Sequence, residues 1–210
     1  MTGQKKLIIL GDSYSTFAGF LPEGNFVYYP NKEFDVARME DTWWGQLMER
    51  KNLRLLVNES SSGTTVSAQG RPQHTEKDPF ISRMKRSLSR EGVQGERADL
   101  ILICGGTNDS WIDNEIGQLQ YENWSKEDLN RVLPAFCYLL DYVKAENPEA
   151  EIVGIVNCDL KPEIMEGMMA ACSHYGVTGV QLKDIHKKNG HPDKLGMTQI
   201  CDQVEAMLKV

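Results

Sequence analysis

The sequence predicts a three-layer α/β sandwich in which a central sheet of five parallel strands lies between two layers of helices. Five short apolar runs have the length of buried strands, and the segments between them show the apolar spacing of helices. Regular alternation of strands and helices favours parallel pairing through right-handed crossovers. No repeat, low-complexity tract or linker rich in Pro, Gly or Ser divides the chain, so we expect one domain over residues 1–210.

The strands are assigned to apolar runs that are bounded by turn-forming or polar residues. Runs of four to eight apolar residues with such boundaries are typical of strands buried on both faces. The five predicted strands are Lys6–Leu10, Leu53–Asn58, Leu100–Cys104, Glu151–Asn157 and Val177–Leu182.

The helices are assigned from capping residues and from prolines at their first turns. An apolar stripe between Leu129 and Val143 supports the third of them, behind a possible capping box at Ser125. The predicted helices run from Thr42 through Arg50, from Asp78 to about Arg90, from Ser125 through the stripe, from Pro162 to about His174, and from Pro192 to near Leu208.

Composition limits the classes of partner. The net charge of −7 argues against nucleic-acid binding, since proteins of that class usually carry a basic face. The basic cluster from Arg83 to Arg90 has helical spacing, and we interpret it as a solvated helix face. No apolar stretch approaches the roughly 18 residues that a membrane-spanning helix needs. The expected partner is therefore a small molecule, while the oligomeric state is left open.

The cysteines and the start of the chain favour a cytoplasmic location. The five cysteines are widely spaced and form no C-x-x-C pair, which is typical of reduced thiols in a reducing compartment. The first residues contain no apolar signal region, although a processed secreted protein would look the same. No histidines, cysteines or carboxylates have metal-ligand spacing and no phosphate-binding glycine motif is present, so we expect neither a metal nor an organic cofactor.

The end of the first predicted strand carries the most informative local pattern. The apolar run from Leu7 to Leu10 ends in Gly11, Asp12 and Ser13. Ligands of open α/β sheets bind beyond the carboxyl ends of the strands, which makes Ser13 a candidate nucleophile. A serine nucleophile needs a base and donors for an oxyanion.

Three later segments can supply these groups. Gly63 follows the second strand, in a turn where a glycine can present its backbone N–H to a substrate oxygen. Asn108 follows the third strand and paired glycines, and its amide is a further donor. His191 precedes the last predicted helix and is the candidate base. His186 lacks the proline that follows His191 and is interpreted as a surface residue, and neither His74 nor His174 lies in a motif.

Together the four segments resemble the GDSL or SGNH hydrolase family, whose blocks occur in this order. The resemblance spans residues 7 to 197 and implies a flavodoxin-like sandwich that hydrolyses carboxylic esters. It also implies that Ser13 attacks the carbonyl carbon, that His191 is the base, and that the Ser13 N–H, the Gly63 N–H and the Asn108 side chain bind the oxyanion. The matching blocks are Gly11-Asp12-Ser13-Tyr14, Gly63 in Ser-Ser-Gly-Thr-Thr, Gly105-Gly106-Thr107-Asn108-Asp109, and His191-Pro192.

One position departs from the family pattern. An aspartate usually stands three residues before the histidine, and here that position is Lys188. A lysine cannot accept a hydrogen bond from the imidazole, and its charge disfavours an imidazolium. Three hypotheses remain open: a backbone carbonyl of residues 187–189 orients His191, Asp184 reaches it, or the protein is a binding module with little activity.

The substrate is predicted only by class. Two long aromatic segments, Ser15–Asp41 and Ser110–Trp124, follow strands at the end of the sheet where a ligand would bind. Their aromatic side chains can stack on sugar rings or line an acyl pocket. These segments favour a small acyl group, such as acetyl, on a carbohydrate or other polar scaffold, with lysophospholipase or thioesterase activity as the alternative.

Overall fold

The computed structural model describes residues 3–209 and contains the predicted sheet of five strands. All neighbouring strands are parallel, and their order is β2-β1-β3-β4-β5. The predicted boundaries are accurate to within one residue, and β5 is shorter than predicted by one residue at each end. The strands are β1 Lys5–Gly11, β2 Leu53–Asn58, β3 Leu100–Gly105, β4 Glu151–Val156 and β5 Thr178–Gln181.

Helices cover both faces of the sheet, which confirms the three-layer sandwich. Alternate residues of β1 point to opposite layers, so that Ile8 packs on the side of α2, α4 and α5, whereas Leu7 packs on the side of α1 and α6. None of the helices within residues 3–209 is both long and apolar enough to cross a bilayer. The helices are α1 Trp43–Lys51, α2 Phe80–Ser87, α3 Thr107–Trp111, α4 Val132–Glu146, α5 Pro162–Tyr175 and α6 Lys194–Glu205.

The strand order places a crevice between β1 and β3. The chain passes from β1 to β2 on one side and then to β3 on the other side of β1. The connections therefore leave the carboxyl ends of β1 and β3 in opposite directions, and ligands of such sheets bind in the gap between them. Ser13 follows β1 and Asn108 follows β3, so both lie at this gap.

The helix that was expected to begin at Ser125 begins seven residues later, at Val132. Ser125 and Asp128 do exchange hydrogen bonds, but they close a turn before the short 3-10 helix Asp128–Asn130. The reason is Pro134, whose ring would clash with the carbonyl of residue 130 if the helix continued back past it. At the third position of α4, the proline occupies a place where a backbone N–H is not needed.

The last helix also begins later than expected. Asp193 caps α6 by accepting a hydrogen bond from the Gly196 backbone N–H at 3.1 Å. Pro192 and His191 form the short strand β7, which pairs antiparallel with β6, Lys187–Lys188. The histidine therefore lies on a hairpin rather than at the start of the helix.

The interpretation of the Arg83–Arg90 cluster as a solvated face is wrong for Arg83. Its side chain is fully buried, and its Nε donates to the Asp78 carbonyl at 2.6 Å. Its terminal nitrogens donate to the carbonyls of Gly11 and Glu59, which end β1 and follow β2. Burial lowers the pKa of Arg83 to about 10, which leaves the side chain charged at neutral pH. The guanidinium thus joins two loops at the carboxyl edge of the sheet.

Replacing Arg83 by methionine is expected to lower the free energy of unfolding by about 3–5 kcal/mol, because it leaves buried carbonyls without donors. Denaturant unfolding monitored by tryptophan fluorescence measures the change. Lys85→Met, on the exposed side of the same helix, is the control and should change stability by less than about 0.5 kcal/mol. Equal stability of the two variants would show that Arg83 contributes no net stability.

Candidate active site

Ser13 lies in a tight turn that directly follows β1. The short 3-10 helix Ser13–Ser15 begins there, and the Asp12 carboxylate accepts a hydrogen bond from the Tyr14 backbone N–H at 3.1 Å. Asn58, at the end of β2, donates from its amide to the Ser15 carbonyl at 2.7 Å. The turn is thus held from two strands, so the backbone that carries Ser13 is fixed relative to the sheet.

The structure brings His191 to Ser13. The distance from His191 Nε2 to Ser13 Oγ is 3.0 Å, within hydrogen-bond reach. His191 reaches this place on the hairpin β6–β7, whose turn consists of Asn189 and Gly190 with φ values of 46° and 80°. Two left-handed residues are typical of the two-residue turn that an Asn-Gly pair favours. This Asn-Gly signal in the sequence could have predicted the hairpin.

Two tyrosine hydroxyls hold the hairpin against the rest of the site. Tyr14, next to Ser13, donates to the Gly190 carbonyl, and Tyr29 donates to the Pro192 carbonyl at 2.6 Å. These carbonyls flank His191 on both sides along the chain. The position of the imidazole is therefore tied to the turn that carries Ser13.

The second imidazole nitrogen faces a backbone carbonyl. His191 Nδ1 lies 3.4 Å from the Asn189 oxygen, a longer separation than most hydrogen bonds. Asp184 is exposed, and within residues 3–209 no hydrogen bond joins it to His191. Of the open hypotheses, this geometry favours the backbone carbonyl and gives no support to Asp184 as the orienting group.

Aromatic rings surround the imidazole. Tyr28 is stacked on it, with ring centroids 3.9 Å apart and planes inclined by 9°. Trp111 meets it edge-on at 5.4 Å, and Phe34 packs in the same way at 6.1 Å. Tyr28 and Phe34 come from the long segment after β1, and Trp111 ends α3. The ring stack restrains the tilt of the imidazole, which the long Asn189 contact alone would not.

The charge expected to act on the imidazole was that of Lys188, but the structure places Lys187 in this role. Lys188 points to carboxylates and lies 3.4 Å from Asp35 and 3.7 Å from Asp193. Lys187, in contrast, is the lysine whose charge acts on His191. The pKa of His191 is lowered chiefly by burial and further by Lys187, while the Asn189 carbonyl opposes both. The imidazole is consequently neutral at pH 7, as a general base must be.

Gly63 and Asn108 line a cavity together with Ser13 and His191. The cavity has a volume of about 190 Å³. Within residues 3–209, neither the Ser13 nor the Gly63 backbone N–H donates to a protein acceptor. Asn108 donates one amide hydrogen to the Thr64 carbonyl at 2.9 Å and retains a second. The remaining lining residues are Tyr28, Ser62, Arg71, Gln73 and Trp111.

Gly63 cannot be replaced by a larger residue without movement. Its φ of +77° lies in the left-handed region, and a Cβ there would come within 2.7 Å of His74 Nε2. His74 was assigned no role from the sequence, but its ring packs edge-on against Phe26 with centroids 4.8 Å apart and supports the Gly63 turn.

Comparison with known proteins agrees with this geometry. The profile of the GDSL-like lipase/acylhydrolase family matches residues 5–208. The chain belongs to this family. It is therefore an ester hydrolase of the SGNH type, a family in which a serine nucleophile and an oxyanion hole are typical.

Two solved structures are similar to this hydrolase over almost the whole chain. One, assigned to the GDSL-like lipases, comes from Bacteroides ovatus, with 40% identity, a TM-score of 0.89 and coverage of 98% of both chains. Another, from Bacteroides uniformis, has 42% identity and the same TM-score, with 97% of this chain and 95% of that chain covered. An acetyl xylan esterase from Butyrivibrio proteoclasticus shares the fold, with 17% identity, a TM-score of 0.61, and 97% of this chain and 63% of that chain covered. No curated protein matches the sequence.

Asp109, an acidic residue close to the candidate site of this hydrolase, supports a loop. Asp109 accepts hydrogen bonds from the backbone N–H groups of Val66 and Ser67 and from the Ser67 hydroxyl. Asp12 is fully buried, which raises its pKa to about 6. His186, expected at the surface, is half exposed and lies 2.8 Å from Asp193. Within residues 3–209, no three metal-ligating side chains converge on one point.

Sequence reasoning assigned no role in the site to several of the lining residues, among them Tyr28 and Arg71. It left the place of Tyr28 open, and it did not consider Arg71, which donates to the Asn108 side-chain oxygen at 3.1 Å. No motif contains either residue, because each reaches the cavity through the path of a long loop.

A larger cleft of about 720 Å³ lies between residues 115–120 and the start of α4. Its lining contains no serine, cysteine or histidine, so it offers no nucleophile for ester hydrolysis by a serine or cysteine mechanism.

The pKa of His191 is expected to lie below 6.5, its ordinary value, because burial and the charge of Lys187 both disfavour the imidazolium. An NMR titration of the imidazole signals measures it, with the signal assigned through His191→Gln.

Lys187→Met should move this pKa upward, since it removes a positive charge close to the ring. Lys188→Met is the matched control and should leave it in place, because that lysine faces Asp35 and Asp193. A pKa at or above 6.5, or equal responses to the two lysine changes, would contradict this account of the site.

Proposed function

We propose that the protein hydrolyses carboxylic esters with Ser13 as the nucleophile and His191 as the general base. The observation that carries this proposal is the separation of 3.0 Å between Ser13 Oγ and His191 Nε2. It supports direct proton transfer between the two groups without a bridging water. The lowered pKa of His191 supports the same assignment, since the imidazole must be neutral to accept a proton.

In the first half of the reaction, Ser13 Oγ attacks the carbonyl carbon while His191 Nε2 takes the hydroxyl proton. The carbonyl oxygen becomes an oxyanion, and the backbone N–H groups of Ser13 and Gly63 and the second amide hydrogen of Asn108 bind it. Such donors stabilise the charge that develops in the transition state, and loss of one typically lowers turnover roughly a hundredfold or more.

In the second half, the proton moves from His191 to the leaving alcohol as the bond between the carbonyl carbon and that oxygen breaks. Water then attacks the acyl-serine, with His191 again accepting the proton and returning it to Ser13 Oγ. The products are the alcohol and the carboxylic acid, and the protein ends in its starting state.

The imidazolium that forms in each half is stabilised without a carboxylate. The face of the Tyr28 ring lies 3.9 Å from the imidazole, and an aromatic face attracts a cation. The Asn189 carbonyl accepts the Nδ1 proton and selects the tautomer that leaves Nε2 free for Ser13. This pair of contacts supports a Ser-His dyad rather than a catalytically inactive binding site.

We propose a small acyl group, such as acetyl, on a carbohydrate or similar polar scaffold as the substrate. The cavity of about 190 Å³ is smaller than the roughly 300–1,000 Å³ of sites that hold larger ligands. Trp111 lines it while 43% exposed, so its ring can stack on a sugar outside the acyl site. The acetyl xylan esterase fold match and that of a family two carbohydrate esterase from Clostridium thermocellum, at 14% identity, are compatible with this class.

The five cysteines support a reducing compartment, which we propose to be the cytoplasm. All five are free thiols. Burial raises the pKa of Cys104, the thiol closest in sequence to the site, so it stays protonated and unreactive.

Ser13→Ala and His191→Ala are each expected to lower kcat/KM for p-nitrophenyl acetate by roughly a thousandfold or more, because each removes one member of the dyad. The parent should also be labelled at Ser13 by a fluorophosphonate, with intact-mass and peptide analysis as the readout. A parent protein that neither hydrolyses the ester nor takes up the label would overturn the proposal in favour of a binding protein.

Acyl chain length tests the size of the acyl site separately. Between the acetate and the octanoate of p-nitrophenol, kcat/KM is expected to fall roughly tenfold or more, because the longer chain does not fit beside the oxyanion donors. Ser13→Ala measures the background for each ester. A maximum at eight carbons would instead indicate a lipid or thioester substrate.

A further inference from the structure

Arg71 is the one formally charged residue among those that line the active-site cavity at neutral pH. The others are polar, aromatic or, in the case of His191, held neutral by the lowered pKa. In the described part of the chain no aspartate or glutamate lines the cavity, although the chain as a whole carries a net charge of −7. The formal charge of the cavity lining is therefore positive within an acidic protein.

The guanidinium of Arg71 has unused hydrogen-bonding capacity. Within residues 3–209 no carboxylate lies within 4.0 Å of it, and its one side-chain bond is the 3.1 Å contact from Nη2 to Asn108 Oδ1. Its Nε is buried without an acceptor, so the donors that a ligand can reach are those of Nη1 and the second hydrogen of Nη2. A planar guanidinium has five donors and suits the two oxygens of a carboxylate or the oxygens of a sulfate or phosphate.

Arg71 is also placed next to the reacting atoms. It contacts the proposed oxyanion donor Asn108, and its Cδ lies 3.9 Å from the position a Cβ on Gly63 would take. An anion bound there lies beside the scissile ester, in the cavity that Arg71 shares with Ser13 and His191. Because the proposed acyl group is small and uncharged, such an anion belongs to the alcohol part of the substrate.

We propose that Arg71 binds an anionic group on the alcohol part of the substrate, so that the preferred substrates are acyl esters of hydroxy acids or acidic sugars. This inference rests on the proposed function, because it assumes that Ser13 attacks an ester in this cavity. Among anionic groups we favour a carboxylate, because its two oxygens suit the donors that a guanidinium has left while one of its nitrogens donates to Asn108.

The test compares two O-acetylated methyl hexuronosides that differ at one group, a carboxylate in one and the primary amide in the other. The parent is expected to favour the carboxylate roughly tenfold or more in kcat/KM, mainly through KM, with a preference that declines as salt is added. The same ratio of kcat/KM is measured for an O-acetylated sugar sulfate and for an O-acetylated sugar phosphate, each relative to the O-acetylated sugar that lacks the anionic group. These two ratios show whether Arg71 also accepts anions other than a carboxylate.

In Arg71→Met the preference for the carboxylate over the amide should fall below about threefold. Arg71→Lys keeps the positive charge but not the paired, planar N–H donors of a guanidinium, and it should retain part of the preference. Arg54→Met is the matched control, since it removes the same charge at the opposite end of the sheet, where Arg54 pairs with Glu96. Thermal melting confirms that each variant is folded.

Two results overturn the inference while leaving the proposed function intact. One is equal turnover of the acid and the amide by the parent. The other is an equal loss of kcat for both substrates in Arg71→Met, which would show that Arg71 acts only through Asn108. Absence of Ser13 labelling and of all ester hydrolysis in the parent would overturn both proposals together.

Discussion

The candidate site depends on two hydrogen bonds, in which tyrosine hydroxyls near the start of the chain donate to the hairpin that carries His191. Tyr14 and Tyr29 donate to the carbonyls on either side of His191. The hairpin that carries the histidine has strands of only two residues each, too short to be stable alone. Tyr14 directly follows Ser13, so the residue next to the proposed nucleophile also anchors the hairpin. The approach of Ser13 and His191, which are 178 positions apart, is thereby fixed by two further hydrogen bonds between the same distant parts of the chain.

The surroundings of His191 combine two opposing requirements. Burial, to which the surrounding rings contribute, lowers the pKa of the His191 imidazole, and the charge of Lys187 acts in the same direction, so the neutral form is favoured. The same burial disfavours the imidazolium that must form during attack. In many serine hydrolases a carboxylate compensates for this cost. In the proposed mechanism the compensating groups are the π face of Tyr28 and the Asn189 carbonyl, which are both uncharged and therefore stabilise the imidazolium less than a carboxylate would.

Two arginines show how position decides the role of one residue type. Arg83 is fully buried and donates to backbone carbonyls, so its charge serves to join loops at the carboxyl edge of the sheet. Arg71 lines the cavity and has one side-chain acceptor in the described part of the chain. Neither environment is visible in the local sequence, since both residues stand in polar segments between β2 and the end of α2.

The sequence alone determined the sheet, the layers and the four segments at its carboxyl edge, because strand periodicity, glycine turns and helix caps are local properties. It also indicated that Lys188 cannot accept a hydrogen bond from the His191 imidazole as an aspartate would. Only the tertiary structure decided which group faces His191 Nδ1, and this is the Asn189 carbonyl. The direction of the His191 ring depends on an Asn-Gly hairpin and on Tyr28, which come from opposite ends of the chain. Contacts between residues so distant in sequence arise from packing, which no local pattern records.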